Sequence, residues 1–153
     1  MSEKKTETNW PDLTGRVDGA EHILPVRVYF EDTDFSGVVY HAAYLKFMER
    51  GRTELLRFLG VHHHELDAGK HGERLAFVVR HMDIDFLKPA RIDDVLEVYT
   101  YISEIKGVRL FISQSVMRGD EILIKASVTA VVLSAEGKPR RLPKDMVAQM
   151  KGE

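Results

Sequence analysis

The chain has 153 residues, 44% hydrophobic and 30% charged, with a net charge of −2 and no cysteine. That length supports one domain with a real core. The charge balance excludes the electrostatic footprint of a nucleic-acid binder, and the lack of cysteine excludes disulfides, thiolate nucleophiles and Cys-ligated zinc.

In chain order, residues 1–20 read as a flexible N-terminal tail, with Pro11, Gly15 and Gly19 but no periodicity and no signal-peptide core. No run approaches the roughly 18 apolar residues of a membrane span, so a soluble, cytoplasmic protein is expected. Residues 21–148 read as one domain and 149–153 as a C-terminal tail. "ILPVRVYF" alternates, with Val26, Val28 and Phe30 on one side and Arg27 and Tyr29 on the other, which predicts a strand. The acidic stretch around Ser36 and Gly37 predicts a loop.

From about Ala42 to Leu59 the spacing of Tyr44, Leu45, Phe47, Met48, Leu55, Phe58 and Leu59 predicts an amphipathic helix of about five turns. Gly60 is placed to terminate it. Gly51 lies inside it, at a cost of roughly 1 kcal/mol relative to alanine that close packing on a sheet would explain. "VHHHELDAGKHGERL" predicts a short helix or turn. Four strand-like segments follow, "AFVVRHMDIDFL", "VLEVYTYISEI", "VRLFISQSVM" and "ILIKASVTAVVL". Short turn signals such as "KPARIDD" and "RGDE" join them into a predicted meander. "LPKDMVAQMKG" has room for a helical turn or two. One helix cannot cover both faces of a large sheet. The order therefore predicts an α+β fold, a curved antiparallel sheet around one long helix, with a face or edge left for self-association.

The chemistry concentrates in "FEDTDFSGVVYH". Glu31, Asp32 and Asp34 precede a glycine and His41 at the predicted helix start. One reading is turn or helix capping by Asp32 or Asp34. The other is a catalytic site. Gly37 permits a sharp turn and close approach of a ligand, the helix N-terminus offers unpaired N–H groups for an oxyanion, and a nearby carboxylate serves as nucleophile or as general base. His41 reads as a polar helix-start residue or an acid/base group. His62, His63, His64 and His71 read as a solvated loop in preference to a metal site, since no HExxH spacing is present. Lys106 and Arg109 flank the turn at Gly107 and read as solvated residues or as phosphate clamps. Phe77 and Val78 read as core residues or as lining for a substrate.

"VRVYFEDTDFSGVVYHAAYLKFMERGRTE", "MDIDFLKPARIDDVLEV" and "KPRRLP" together resemble hotdog-fold acyl-CoA thioesterases of the 4-hydroxybenzoyl-CoA thioesterase superfamily, in particular the Tol-Pal-associated YbgC-like branch. The resemblance spans roughly residues 22–145. The branch's usual "ANY" is "AAY" here, Ala42-Ala43-Tyr44. The resemblance implies hydrolysis of an acyl-CoA thioester to a free acid and coenzyme A, without a metal or redox cofactor. It implies active sites between subunits of a dimer of hotdogs or a homotetramer. Carried over by position, Asp34 matches the catalytic aspartate and the His41 backbone N–H the oxyanion donor. Lys106 and Arg109 fall near a basic segment that binds coenzyme A in some relatives. Rival readings are a thioesterase acting on acyl carrier protein and a non-catalytic hotdog module that binds acyl groups or a partner.

Overall fold

The computed structural model describes residues 11–70 and 72–152. Its first elements are a helical turn α1 (Pro11–Thr14), a short strand β1 (Arg16–Asp18) and β2 (Glu21–Arg27). Part of the expected tail is therefore structured. Gly19, in the left-handed region at φ 62°, closes a tight turn that pairs β1 antiparallel to β2. In β2 the predicted alternation holds for Leu24, Val26 and the following Val28, which are buried, while Pro25 and Arg27 are exposed. Phe30, expected to continue that face, instead begins a 3-10 turn (Phe30–Asp32) and is 81% exposed. The Asp32 carboxylate accepts the Tyr29 N–H at 2.8 Å, a local bond that ends the strand.

The long helix α2 spans His41–Phe58, 18 residues, or about 27 Å at 1.5 Å per residue. It buries Tyr44, Phe47, Met48, Gly51, Leu55 and Leu56. Leu45 and Phe58, assigned to the apolar stripe by their spacing, are exposed. Gly60 terminates the helix as predicted, at φ 85°. Gly51 has the expected reason: a Cβ there would come within 2.8 Å of Thr100 Oγ1 and Val98 Cγ1. At the same level the buried Gln114 side chain donates to the Met48 carbonyl at 2.8 Å and to Thr100 Oγ1 at 2.9 Å, and accepts from Arg52 at 2.9 Å. The helix is thus pinned to the sheet at mid-length.

A short helix α3 (His63–Asp67) leads to β3 (Leu75–Phe86), β4 (Val95–Lys106), β5 (Arg109–Arg118) and β6 (Glu121–Ser134). The chain closes with α4 (Lys144–Met150), which reaches past the expected domain end at residue 148 and buries Met146 and Met150. All strand pairs are antiparallel, in the order β1-β2-β4-β5-β6-β3. The meander is correct only for β4, β5 and β6. Both edges of β4 are taken, by β2 and by β5, so β3 pairs along the free edge of β6. "KPARIDD" is accordingly a crossover between distant strands and not a hairpin turn. Its Asp93–Asp94 pair does make a turn, with Asp93 at φ 70° and the Asp94 carboxylate accepting the Arg91 N–H at 2.9 Å.

The sheet curves around α2 and encloses a core in two parts. One packs the first half of the helix through Val28, Val39, Tyr44, Phe47 and Ala90. The other packs its far end through Leu56, Leu66, Leu75, Leu110 and Met146. No described helix is long and apolar enough to cross a membrane.

Candidate active site

The loop between the 3-10 turn and α2 is held on both sides. Asp34 N–H donates to Val38 O at 2.8 Å, and Tyr40 N–H to Asp32 O at 2.9 Å. Val39 N–H donates to Ala90 O at 2.9 Å, while Val38 bridges Arg91, so the crossover is a wall of the loop. Within it, Gly37 at φ 85° donates its N–H to Asp34 O at 3.0 Å, a geometry glycine adopts without strain.

Neither acid caps α2, but both cap local turns, as the capping reading allowed. Asp32 binds Tyr29 N–H. Asp34 Oδ1 accepts from Ser36 N–H at 2.8 Å and from Ser36 Oγ–H at 2.6 Å. The residue before the helix is Tyr40, which makes no side-chain cap bond. The first N–H groups of a helix have no acceptor within it, so the His41 N–H is left at the positive end of the helix dipole. The Ser36 hydroxyl, with the N–H groups of Ser36, Val38 and Gly37, holds the Asp34 carboxyl below its ordinary value, against an opposing push from partial desolvation.

Asp34 and His41 line one cavity of about 340 Å³ with Tyr44, Phe86, Lys88 and Pro89, within the size range of small-ligand pockets. The imidazole of His41 meets Phe86 edge-on at 6.2 Å and lies 4.5 Å from the Tyr40 ring. Tyr44, one turn into α2, is buried, and its hydroxyl accepts the Ala90 N–H at 3.0 Å. Burial raises the Tyr44 pKa, so its hydroxyl stays neutral. Lys88 pairs with Glu121 at 3.1 Å. Arg118 ties the crossover down by donating to Asp94 Oδ2 at 2.8 Å and Pro89 O at 3.2 Å.

The other residues singled out in the sequence lie elsewhere. Gly37 shapes the turn without lining the cavity. Phe77 is nine residues from Phe86 along β3, roughly 30 Å at strand spacing. It faces the helix side opposite Val132, meets the His63 ring at 5.9 Å and lines a small cavity of about 50 Å³ with Glu49, Arg52 and Thr53. Burial lowers the His63 pKa, so its ring is held neutral there. Val78, next in the strand, faces the opposite side of the sheet. There it shares one transverse row with Val131, Arg109 and Lys106. Lys106 is eleven residues from the start of β4 beside the crossover, or roughly 36 Å. One chain therefore brings Asp34, Gly37 and His41 together and leaves Phe77, Val78, Lys106 and Arg109 at the far end. Tyr44, Phe86, Lys88 and Ser36 were not singled out as site residues by the sequence. Tyr44, one turn beyond His41, and Phe86, at the end of the alternation Met82-Ile84-Phe86, carried periodic signals, but those signals mark an apolar face and not a site. His71 lies outside the described residues. Among the described residues no three His, Asp or Glu side chains converge as a metal site would require.

The thioesterase superfamily pattern matches residues 36–125. The acyl-CoA thioester hydrolase YbgC of Escherichia coli O157:H7 is 46% identical over 129 residues, covering 83% of this chain and 93% of that one. An acyl-acyl carrier protein thioesterase of Arabidopsis thaliana is 31% identical over 127 residues, 82% of this chain and 65% of that one. Among solved structures, a probable thioesterase from Bartonella henselae is 52% identical and superimposes with a TM-score of 0.79, covering 81% of this chain and all of that one.

Proposed function

The chain belongs to the thioesterase superfamily, as a hotdog-fold thioester hydrolase resembling the YbgC branch, and from that premise we propose that it hydrolyses acyl-CoA thioesters with Asp34 as the reacting carboxylate. The observation that carries the assignment is the shared cavity, lined both by Asp34, whose carboxyl is held below its ordinary value, and by His41, the first residue of α2. The thioester carbonyl sits between them. Its oxygen takes the His41 N–H, which becomes a stronger partner as negative charge develops in the tetrahedral transition state. Asp34 either bonds to the carbonyl carbon, expelling the coenzyme A thiolate and leaving an anhydride for water to open, or takes a proton from water as that water attacks. Both routes yield a carboxylic acid and coenzyme A, and neither calls for a metal or redox cofactor.

The separation of Lys106 and Arg109 from Asp34 supports a homo-oligomer, dimer or tetramer, in which a neighbouring copy supplies the cations for the coenzyme A phosphates. Position β3 at the end of the sheet, with its outer edge unpaired among the described strands, supports the same reading.

Asp34→Asn is isosteric but is neither a base nor a useful nucleophile. It should fold like wild type and lose at least about a hundredfold in kcat, the usual worth of one acid–base group. Steady-state release of free thiol from a panel of acyl-CoA thioesters measures this, and wild-type turnover in the folded variant would sink the assignment. The Arabidopsis relative favours a second reading, with acyl carrier protein as the acyl donor. Turnover of matched acyl-CoA and acyl-carrier-protein substrates separates the two.

A further inference from the structure

We infer that Ser36 is a positioning residue for this reaction, clamping one oxygen of the Asp34 carboxylate through its own N–H and hydroxyl so that the other oxygen is presented to the substrate. The inference rests on the reading of Asp34 as the reacting group.

Both Ser36 bonds fall on the same atom, Oδ1, at 2.8 Å from the backbone nitrogen and 2.6 Å from Oγ. The shorter lies in the range of charge-assisted O–H···O⁻ bonds. An aspartate side chain otherwise turns about two bonds, and two donors on one oxygen fix both. The hydroxyl is not needed to make the turn. That rests on Asp34 N–H to Val38 O, Gly37 N–H to Asp34 O and the left-handed Gly37, all backbone features. Losing Oγ therefore removes a partner of the carboxylate and leaves the loop.

The clamp has a second consequence. The Ser36 hydroxyl is the largest influence holding the Asp34 carboxyl below its ordinary value, so it sets the pH at which the ionised, reactive form is lost. The other titratable groups around the cavity are His41 and Tyr44 from α2 and Lys88 from the crossover, which is paired to Glu121. Arg91 adjoins the loop through its backbone bridge to Val38. On the loop's own segment, Glu31 is exposed and Asp32 is turned to Tyr29 N–H. Among the described side chains, Ser36 supplies the hydrogen bond to the Asp34 carboxylate, and the backbone N–H groups of Ser36, Val38 and Gly37 act on it in the same direction with smaller effect.

The test is the pH profile of kcat/KM on an acyl-CoA thioester for wild type, Ser36→Ala, Ser36→Thr and Asp34→Asn. It is paired with a carbon-13 NMR titration of the Asp34 carboxyl in wild type and Ser36→Ala. Ser36→Ala should move the acid limb to higher pH and lower kcat/KM on that limb about tenfold, the order of one hydrogen bond to a charged group. The carboxyl titration should move the same way, and Ser36→Thr should restore the wild-type limb. A uniform loss at every pH with an unmoved titration overturns the inference, as do superimposable profiles. A Ser36→Thr limb matching that of Ser36→Ala overturns it too, because the hydroxyl would not be the cause. If Asp34→Asn keeps wild-type turnover, the underlying reading of Asp34 falls and takes this one with it. If that variant is inactive while Ser36→Ala titrates like wild type, only the Ser36 assignment falls.

Discussion

Gly51→Ala sets two effects of known sign against each other. In an open helix interior the change stabilises by about 1 kcal/mol, because alanine loses less backbone freedom on folding. Here the new Cβ arrives 2.8 Å from both Thr100 Oγ1 and Val98 Cγ1, roughly 1 Å inside the separation at which carbon atoms attract. Those side chains belong to β4, which is buried at this point, and Thr100 is also bonded to the Gln114 amide that pins the helix. Neither neighbour is free to swing away. Overpacking of a core by one carbon costs about 1–3 kcal/mol. The cost exceeds the gain, leaving a net loss of about 1 kcal/mol and a Tm lower by about 2–4 °C for a chain this size. Thermal unfolding by circular dichroism reads the shift. Val98→Ala removes Cγ1 and opens space on one side, so Gly51→Ala should cost less in that background than alone. A Gly51→Ala protein that melts higher than wild type would show that the helix and sheet are not in this close contact.

Tyr44→Phe leaves the N–H of the fully buried Ala90 without its acceptor. It should destabilise by about 1–3 kcal/mol and speed hydrogen exchange at that one amide, read by NMR; unchanged exchange there would refute the bond. Arg118→Met removes the partner of Asp94. Burial pushes the Asp94 pKa up, but the Arg91 N–H and Arg118 outweigh it and hold the folded value below the ordinary one. A depressed carboxyl contributes stability that is present above its unfolded pKa, about 3.9, and is lost as pH falls through the folded value. The Tm gap between wild type and Arg118→Met should therefore be widest near neutral pH and narrow below about pH 4, and a gap constant with pH would count against the pair.

The helix was legible because its signals are local. Periodicity located α2 to within a residue at each end, Gly60 closed it, and Gly51 left a cost that only a structure could match to the close approach of the sheet. Sheet order was not legible from the same kind of signal. The apolar alternation of β3 states which face is buried and is silent on which neighbour it pairs with. The turn chemistry of Asp93–Asp94 is real, yet a turn serves a crossover as well as a hairpin. What decides is competition for edges: β2 occupies the side of β4 that the meander would have given to β3. Phe30 failed for a different reason, since one carboxylate two residues on outweighed a strand pattern.

The candidate site divides along the same line. Asp34, Gly37 and His41 fall within eight positions, so a single turn brings them together whatever the sheet does, and the sequence could name them. Phe86 and Lys88 reach that cavity only because β3 runs along β6 and delivers its end to the start of α2. Lys106 and Arg109 were singled out as clamps for coenzyme phosphates and Val78 as a lining residue, and the three do share one row of the sheet, but that row crosses the opposite end and face. For one substrate to meet both groups within a single copy, it would have to span the length of a twelve-residue strand and pass around the sheet. A second copy placed against the open edge of β3 or the outer face removes that demand. Coenzyme-binding defects in Lys106→Ala and Arg109→Ala should accordingly be rescued by mixing with Asp34→Asn subunits, because each defective copy then supplies what the other lacks. A mixture no more active than its parts would place the whole site within one chain.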